Sequence, residues 1–300
     1  MTAARSLFST VRGAPGATLA AFLILALFLY AFLVPLFTAD PFRLAGMSIM
    51  DSFTPPAWME GGNAAFPLGA DDQGRNIITA MAYGLRTSII VGVSAVLIGL
   101  VLGGALGLLA GFVGGRTDAV IMRIADVQLA YPALLLAMVI DGIATAVVGR
   151  ERSATLAIAI VIFAIGIAFW VQFARTIRSS VLVERDQDYV AAAQITGRSK
   201  LAIVLRHILP NVMAPVLVIA TINLGIAIIT EATLSFLGIG IPLTHPSLGA
   251  LIRNGNAFLQ SGEWWISTWP CLLLATLVIG VNVLGDHLRD HFNPKLRGRS

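Results

Sequence analysis

Six stretches of the chain are almost uninterruptedly apolar, and most charged residues gather in the segments between them. They run from Ala17 to Phe37, Ser88 to Val113, Ala119 to Ile140, Ala154 to Phe173, Val212 to about Thr230, and about Trp265 to Leu284. A helix rising about 1.5 Å per residue needs roughly 20 apolar residues to cross about 30 Å of hydrocarbon, and these runs are of that order. Unbroken Leu, Ile, Val and Ala runs lack the strand-length alternation of an outer-membrane barrel. The pattern therefore predicts an all-α membrane protein with six transmembrane helices. Its divisions are an N-terminal segment 1–16, a first span 17–37, an outer excursion 38–87, a core 88–285 containing a polar loop 174–211, and a tail 286–300.

Composition agrees: of 300 residues, 57% are apolar and 12% charged, with a mean hydropathy of +0.85, outside the soluble range. Arg5 and Arg12 ahead of the first run resemble the start of a signal peptide. The apolar stretch, however, exceeds the roughly 7 to 15 residues of such a peptide and no cleavage site follows, so it reads as an uncleaved span. With the N-terminus placed in the cytoplasm, 14 of the 20 Lys and Arg fall on the inner side, and Arg43, Arg75, Arg86, Arg150, Arg152 and Arg253 on the outer. That bias follows the positive-inside rule and puts both termini in the cytoplasm. It also accounts for the net charge of +4 without nucleic acid. Cys271 is the one cysteine, so no internal disulfide is possible, and it reads as a packing residue.

The polar loop carries the most local information. Apolar residues recur at helical spacing from Asp186 to Ile195, Gly197 stands where a helix C-cap belongs, and Ser199 can cap a second helix that Pro210 then breaks. Placing this loop in lipid would bury six bases and three acids, at roughly 2.5–3.5 kcal/mol each. Two short helices joined by a tight turn would instead stand at the membrane surface. The turn offers Arg198 and Lys200, and the flanking faces offer Tyr189, Val190, Leu201, Val204 and Leu205. Such a knob suits a groove on a partner protein, and it also suits an amphipathic element on anionic lipid.

Resemblance separates the two. Importer permeases share Glu-Ala-Ala, three residues, Gly, nine residues, Ile, one residue, Leu-Pro; Ala192, Ala193, Gly197, Leu209 and Pro210 match, while Ala191 replaces the Glu and His207 the Ile. Pro67-Leu-Gly-Ala-Asp-Asp-Gln-Gly-Arg-Asn76 with Tyr83-Gly-Leu-Arg86 resembles the segment ahead of the second span in C-type permeases for peptides and nickel, with departures at Phe66, Ala70 and Asn76. Leu234-Ser-Phe-Leu-Gly-Ile-Gly240, Pro246-Ser-Leu-Gly249 and the stretch from Asp286 to Arg297 are similar to that family's C-terminal third, Asn293 replacing a usual Asp. The chain thus looks like a permease subunit of the dipeptide, oligopeptide and nickel ABC importer family over roughly residues 67 to 297. The resemblance implies a type I importer fold with cytoplasmic coupling helices, in a bacterial inner membrane. It also implies partners: a second homologous permease, two ABC ATPases holding ATP and Mg, and an extracytoplasmic solute-binding protein. Tyr189, Ala192, Ala193, Gly197, Arg198, Lys200, Leu209 and Pro210 would couple this chain to the ATPases, and peptides would be the cargo, with nickel or another small solute as the alternative.

The remaining polar residues add little chemistry. Glu231 either faces the passage or ends the fifth span at the outer interface, and Asn223 is an interhelical hydrogen bonder or a pathway residue. Arg123 and Asp126, three apart, suit a local ion pair. Trp264, Trp265 and Trp269 suit an interfacial aromatic belt. His287 and His291 share a helical spacing but have no third ligand, so no metal site is expected. Neither Lys200 nor Lys295 follows a P-loop pattern and no nucleophile and base are joined by a motif, so the chain is expected to be no enzyme and to bind no cofactor of its own. A self-sufficient secondary transporter or channel would carry repeats or a coupling-ion site, and neither is visible.

Overall fold

A computed structural model describes residues 15–43, 48–149, 152–242 and 245–292. Arg5, Arg12, Arg150, Asn293, Lys295, Arg297 and Arg299, and the side chain of His291, lie outside the described residues. Ten α-helices make up most of the described chain: α1 (Pro15–Phe37), α2 (Ile77–Val113), α3 (Gly115–Leu129), α4 (Ala133–Val148), α5 (Ala154–Glu184), α6 (Asp188–Ile195), α7 (Lys200–Ile203), α8 (Leu209–Phe236), α9 (Leu248–Asn256) and α10 (Trp265–Phe292). An isolated antiparallel bridge between Ala70 and Asn76 accompanies them. Five helical stretches are long and apolar enough to span a membrane, α7 and α8 together forming one of them.

The third expected span is broken. Where one run was predicted from Ala119 to Ile140, α3 and α4 meet at a bend of 90°. Pro132 supplies the cause: it disfavours helical conformation at the residue before it and cannot donate to the preceding turn. Its own ψ of 133° turns the chain before α4 begins. Counted as one bent span, the pair brings the total to six.

Helix α2 is also longer than its apolar run. It begins at Ile77 rather than at Ser88, because the Asn76 side chain accepts from the Ile78 N–H at 2.9 Å and caps it. Arg86 lies inside the helix, its guanidinium over the Phe32 ring of α1 at 5.7 Å. The four-residue ladder Gly99, Gly103, Gly107 and Gly111 lets α2 lie directly on α5. A Cβ at Gly103 would sit 2.2 Å from the Trp170 carbonyl oxygen, and one at Gly107 2.6 Å from that of Ala174. Close backbone approach of this kind is how helices pack where lipid removes the usual hydrophobic drive.

Two large buried clusters, beside a smaller one that joins α2, α3 and α5 around Trp170, organise the rest. One centres on Phe169, Phe173 and Ile177 of α5 with residues of α2, α4, α6 and α8; the other joins α1, α2, α9 and α10 around Leu85, Leu248 and Trp265. Outside them, the long helices turn Phe22, Leu97, Val101 and Ile279 outward. Apolar exposure on this scale is what lipid-facing surfaces require. Cys271 belongs to that exposed set, contrary to its expected place in packing.

The segment ahead of α2 is anchored rather than free. Asp71 accepts from Arg75 Nε at 2.6 Å and from the backbone N–H groups of Gln73 and Arg75. Burial lifts the Asp71 carboxyl above its ordinary range while the Arg75 guanidinium pulls it back down. Trp265 Nε1 donates to the Ala70 carbonyl at 3.1 Å, and Trp269 meets Trp58 edge to face. These tryptophans therefore pack against the 48–76 segment, and Trp265 is buried where an interfacial belt residue was expected.

Candidate functional site

Helices α6 and α7 form the expected turn at one end of the bundle. Gly197 adopts φ +72°, a left-handed conformation that glycine reaches without a side-chain penalty. Behind it the Arg198 N–H donates to the Ala193 carbonyl and the Gly197 N–H to that of Gln194, closing α6 with a Schellman motif. Ser199 then accepts from the Ala202 N–H and opens α7. Both ends of the turn are thus satisfied by its own residues, which makes it stiff.

The helix that begins at Lys200 is not broken at Pro210 as predicted. Residues Val204–Ile208 form a π turn in which the Leu209 N–H reaches back five residues to the Val204 carbonyl. That widened turn leaves room for the proline ring, whose missing N–H and clash with the fourth preceding carbonyl would otherwise kink the helix. Lys200 to Phe236 thereby continue as a single span.

Three side-chain contacts brace the turn. Tyr189 donates to the Glu184 carboxylate at the end of α5, and Asn211 Nδ2 at the start of α8 donates to Tyr189 Oη at 3.0 Å. Tyr189 also stacks on His207 at 6.5 Å between centroids. Burial first, then the Glu184 carboxylate, pushes the Tyr189 phenol above its ordinary range, so it remains a donor. Val190, Ala193, Ile203 and Ile208 enter the α5-centred core. Val190, expected on the outer face, is therefore part of the anchor.

The face left outside contains Ala192, Ile195, Gly197, Arg198, Lys200, Leu201 and Leu205, with Ile195 87% exposed. Leu209 is half-buried, Pro210 exposed and Ala193 buried. The predicted coupling residues thus divide into two sets, an outer apolar and basic tip and an inner anchor. The motif could not distinguish them, because membership in the motif says nothing of which way a side chain turns.

Ion pairs stiffen the approach to the turn from α3. Arg178 of α5 holds Asp118 through both carboxylate oxygens, and Arg175 holds Asp126. Asp126 thus pairs across helices, and the local pair with Arg123 predicted from spacing does not form. Gln128 adds a polar tie, accepting from Trp170 Nε1 at 2.7 Å and donating to the Ile167 carbonyl.

Glu231 and Asn223 are both fully buried on α8. Ser88 of α2 and Ser235 donate to the two Glu231 oxygens at 2.8 and 2.7 Å, and Ser247 engages the same carboxylate. Ser88 Oγ in turn accepts from the Leu248 N–H at the start of α9. Glu231 is therefore the hub of a serine cage that joins α2, α8 and α9. Asn223 has no hydrogen-bond partner for either amide atom among the described residues. The three serines escape sequence reading because they lie far apart in the chain and match no motif.

A polar cavity of about 510 Å³ lies between α4, the start of α5 and the loop after α8. Arg152 Nη2 donates there to Asp141 Oδ1 at 2.6 Å and to the Gly240 carbonyl at 3.3 Å. Sequence reading placed Arg152 on the outer side and assigned it no role.

Comparison with known proteins places this geometry. A family model described as "Binding-protein-dependent transport system inner membrane component" matches residues 103–298. The dipeptide transport system permease protein DppC of Haemophilus influenzae is 37% identical over 94% of this chain and 91% of its own. The di/tripeptide permease DppC of Pseudomonas aeruginosa is 38% identical, covering 81% of this chain and 77% of its own, and the oligopeptide permease OppC of Bacillus subtilis 38%, covering 76% and 72%. Among solved structures, the MetNI methionine ABC transporter in an inward facing form aligns with a TM-score of 0.55 at 19% identity, over 70% of this chain and 94% of that one.

Proposed function

The chain belongs to the family of binding-protein-dependent transport system inner membrane components, and from that premise we propose that it is the permease subunit of an ATP-driven importer of peptides. The observation that carries the reading is the braced turn between α6 and α7. Its ends are capped from within, its inner face is locked into the core, and its outer tip presents Arg198, Lys200, Ile195 and Leu201. A lever has to be stiff and has to offer a surface to whatever pushes it.

In this reading the turn faces the cytoplasm, where the excess of Lys and Arg puts it, and it seats in a groove of an ABC ATPase. A second, related permease completes the passage, and a solute-binding protein delivers cargo to the opposite face. ATP and Mg belong to the ATPases. Closure of the two ATPases on ATP moves the turns together and switches the spans between two packings, a rigid-body transition. Peptide cargo is supported by the names of relatives that match most of the chain, among them dipeptide and oligopeptide permeases. Glu231 and Asn223 lie on the span that the turn drives, and a role for them along the passage is part of the proposal.

The test is site-directed cross-linking in the assembled transporter. A cysteine introduced as Arg198→Cys, with Cys271→Ser removing the native thiol, should cross-link to an ATPase subunit from the cytoplasmic side. Labelling of that cysteine from the outside, or its failure to reach an ATPase in a complex that imports peptide, would overturn the reading.

A further inference from the structure

Two cavities of opposite character adjoin at the foot of the α6–α7 turn. One, of about 470 Å³, is polar and lies among the ends of α2 and α5 and the turn itself, lined by Arg185, Asp186, Gln194 and Lys200 with Phe112 and Val113. The other, of about 340 Å³, is an apolar groove between the final turns of α2 and the start of the Lys200–Phe236 span, walled by Leu108, Leu109, Leu201, Val204 and Leu205. Phe112, Val113 and Lys200 border both, so the groove runs into the polar cavity.

The groove is open, with Leu109 47% and Leu201 68% exposed. It reaches back to Ala105, eight residues before the end of α2, about 12 Å along the axis at 1.5 Å per residue. Its mouth is cationic. Arg185 donates from Nε to Asp186 at 3.3 Å and from Nη1 to the Gly111 carbonyl at 3.1 Å, which leaves Nη2 without a partner among the described residues. Its side chain is 36% exposed. Lys200 is exposed and has no ion pair among the described residues. Asp186 offsets one of these two positive charges, and Asp118 on α3 is already held by Arg178. A protein surface would have to bring an apolar ridge and an acid at this one spacing. A phospholipid carries both in the order required, a chain that continues into hydrocarbon and a phosphate at the interface, where long basic side chains place their heads. The excess of positive charge favours a headgroup of net negative charge over a zwitterionic one, whose ammonium would have only Asp186 to meet.

The structure assigns these adjoining cavities to an anionic phospholipid of the inner leaflet, with one acyl chain in the groove between α2 and α7 and its phosphate between Arg185 and Lys200. The lipid wedges between α2 and the lever, so the charge of the bilayer sets how firmly the turn is seated. The site does not depend on the cargo. Its placement in the inner leaflet rests on the orientation proposed for the turn.

The experiment reconstitutes the complete transporter in nanodiscs of phosphatidylcholine holding a trace of phosphatidylglycerol with a diazirine in one acyl chain. Irradiation and peptide mapping then locate the attached lipid. Label should gather on residues 105–113 and 201–205, and phosphatidylcholine carrying the same diazirine should label them about fivefold less. Arg185→Gln should lower the phosphatidylglycerol yield about fivefold and leave the phosphatidylcholine yield unchanged. Arg185→Lys, which keeps a point charge for phosphate, should restore it. Arg185 is varied rather than Lys200 because Lys200 also belongs to the tip. Ala105→Trp fills the deep end of the groove without touching the charges, and it should lower the yield of both lipids at 201–205. Equal labelling by the two lipids in wild type, or a yield that Arg185→Gln does not move, overturns the site. So does the absence of label from both stretches, which would mean that a protein subunit covers the groove. If Arg198→Cys is reached from the outside while this labelling pattern holds, the lipid site stands and the orientation falls.

Discussion

Gly197 offers the sharpest test of the lever. At φ +72° its backbone occupies the left-handed region, yet a Cβ placed there would meet nothing within 4 Å. Any effect of substitution is therefore conformational rather than steric. An ordinary L-residue forced into this region loses about 1–2 kcal/mol. That cost divides the population of the closed turn by a factor of about 5 to 30. Asn tolerates the conformation, Ala does so less, and β-branched Val least. Coupling should therefore fall in the order wild type, Gly197→Asn, Gly197→Ala, Gly197→Val, read as peptide imported per ATP hydrolysed in proteoliposomes, with membrane insertion equal throughout. A Gly197→Val protein that couples as well as wild type, or a Gly197→Asn protein that fails as badly as Gly197→Val, would refute the argument, since neither outcome follows the φ preference.

Other substitutions probe the packing around the lever. Tyr189→Phe removes the bonds to Glu184 and Asn211, which should cost about 1–2 kcal/mol and appear as faster limited proteolysis between 185 and 200. Gly103→Val would drive a Cβ against the Trp170 carbonyl, and overpacking by about 1–3 kcal/mol or more should lower the melting temperature of the purified complex. Gly104→Ala, whose Cβ would meet its nearest neighbour at an ordinary 3.6 Å, should leave that temperature unchanged. Glu231→Ala leaves Ser88 and Ser235 without their acceptor and should cost about 2–4 kcal/mol in denaturation of the detergent-solubilised complex. Glu231→Gln, which keeps the shape and one carbonyl oxygen, should cost less than half as much.

The long elements were legible because bilayer thickness imposes a length and a polarity that few other constraints can mimic. Gly197 and Ser199 were legible because caps are local: the residue that closes a helix sits beside it. What escaped reading was of two kinds. The break at Pro132 was visible as a proline but not as a right angle, since a proline can also be absorbed, as Pro210 is by the π turn. The serine cage around Glu231, the pairs of Asp118 and Asp126 with α5, and the Arg152 cavity join residues far apart in the chain. Their chemistry exists only once the helices have been placed side by side. Asp126 shows the trap: Arg123 is nearer in sequence, but Arg175 is the neighbour that folding supplies.

The span from Lys200 to Phe236 has a consequence of its own. Lys200 borders the tip and Glu231 is the knot of the cage, about 46 Å apart along the axis at 1.5 Å per residue. A strut of that length cannot be compressed by a push at its foot; it tilts, and its head swings the other way. The carboxylate would then be dragged against the three hydroxyls that hold it, so the cage acts as the detent of a seesaw, setting how hard the foot must be driven before the head lets go.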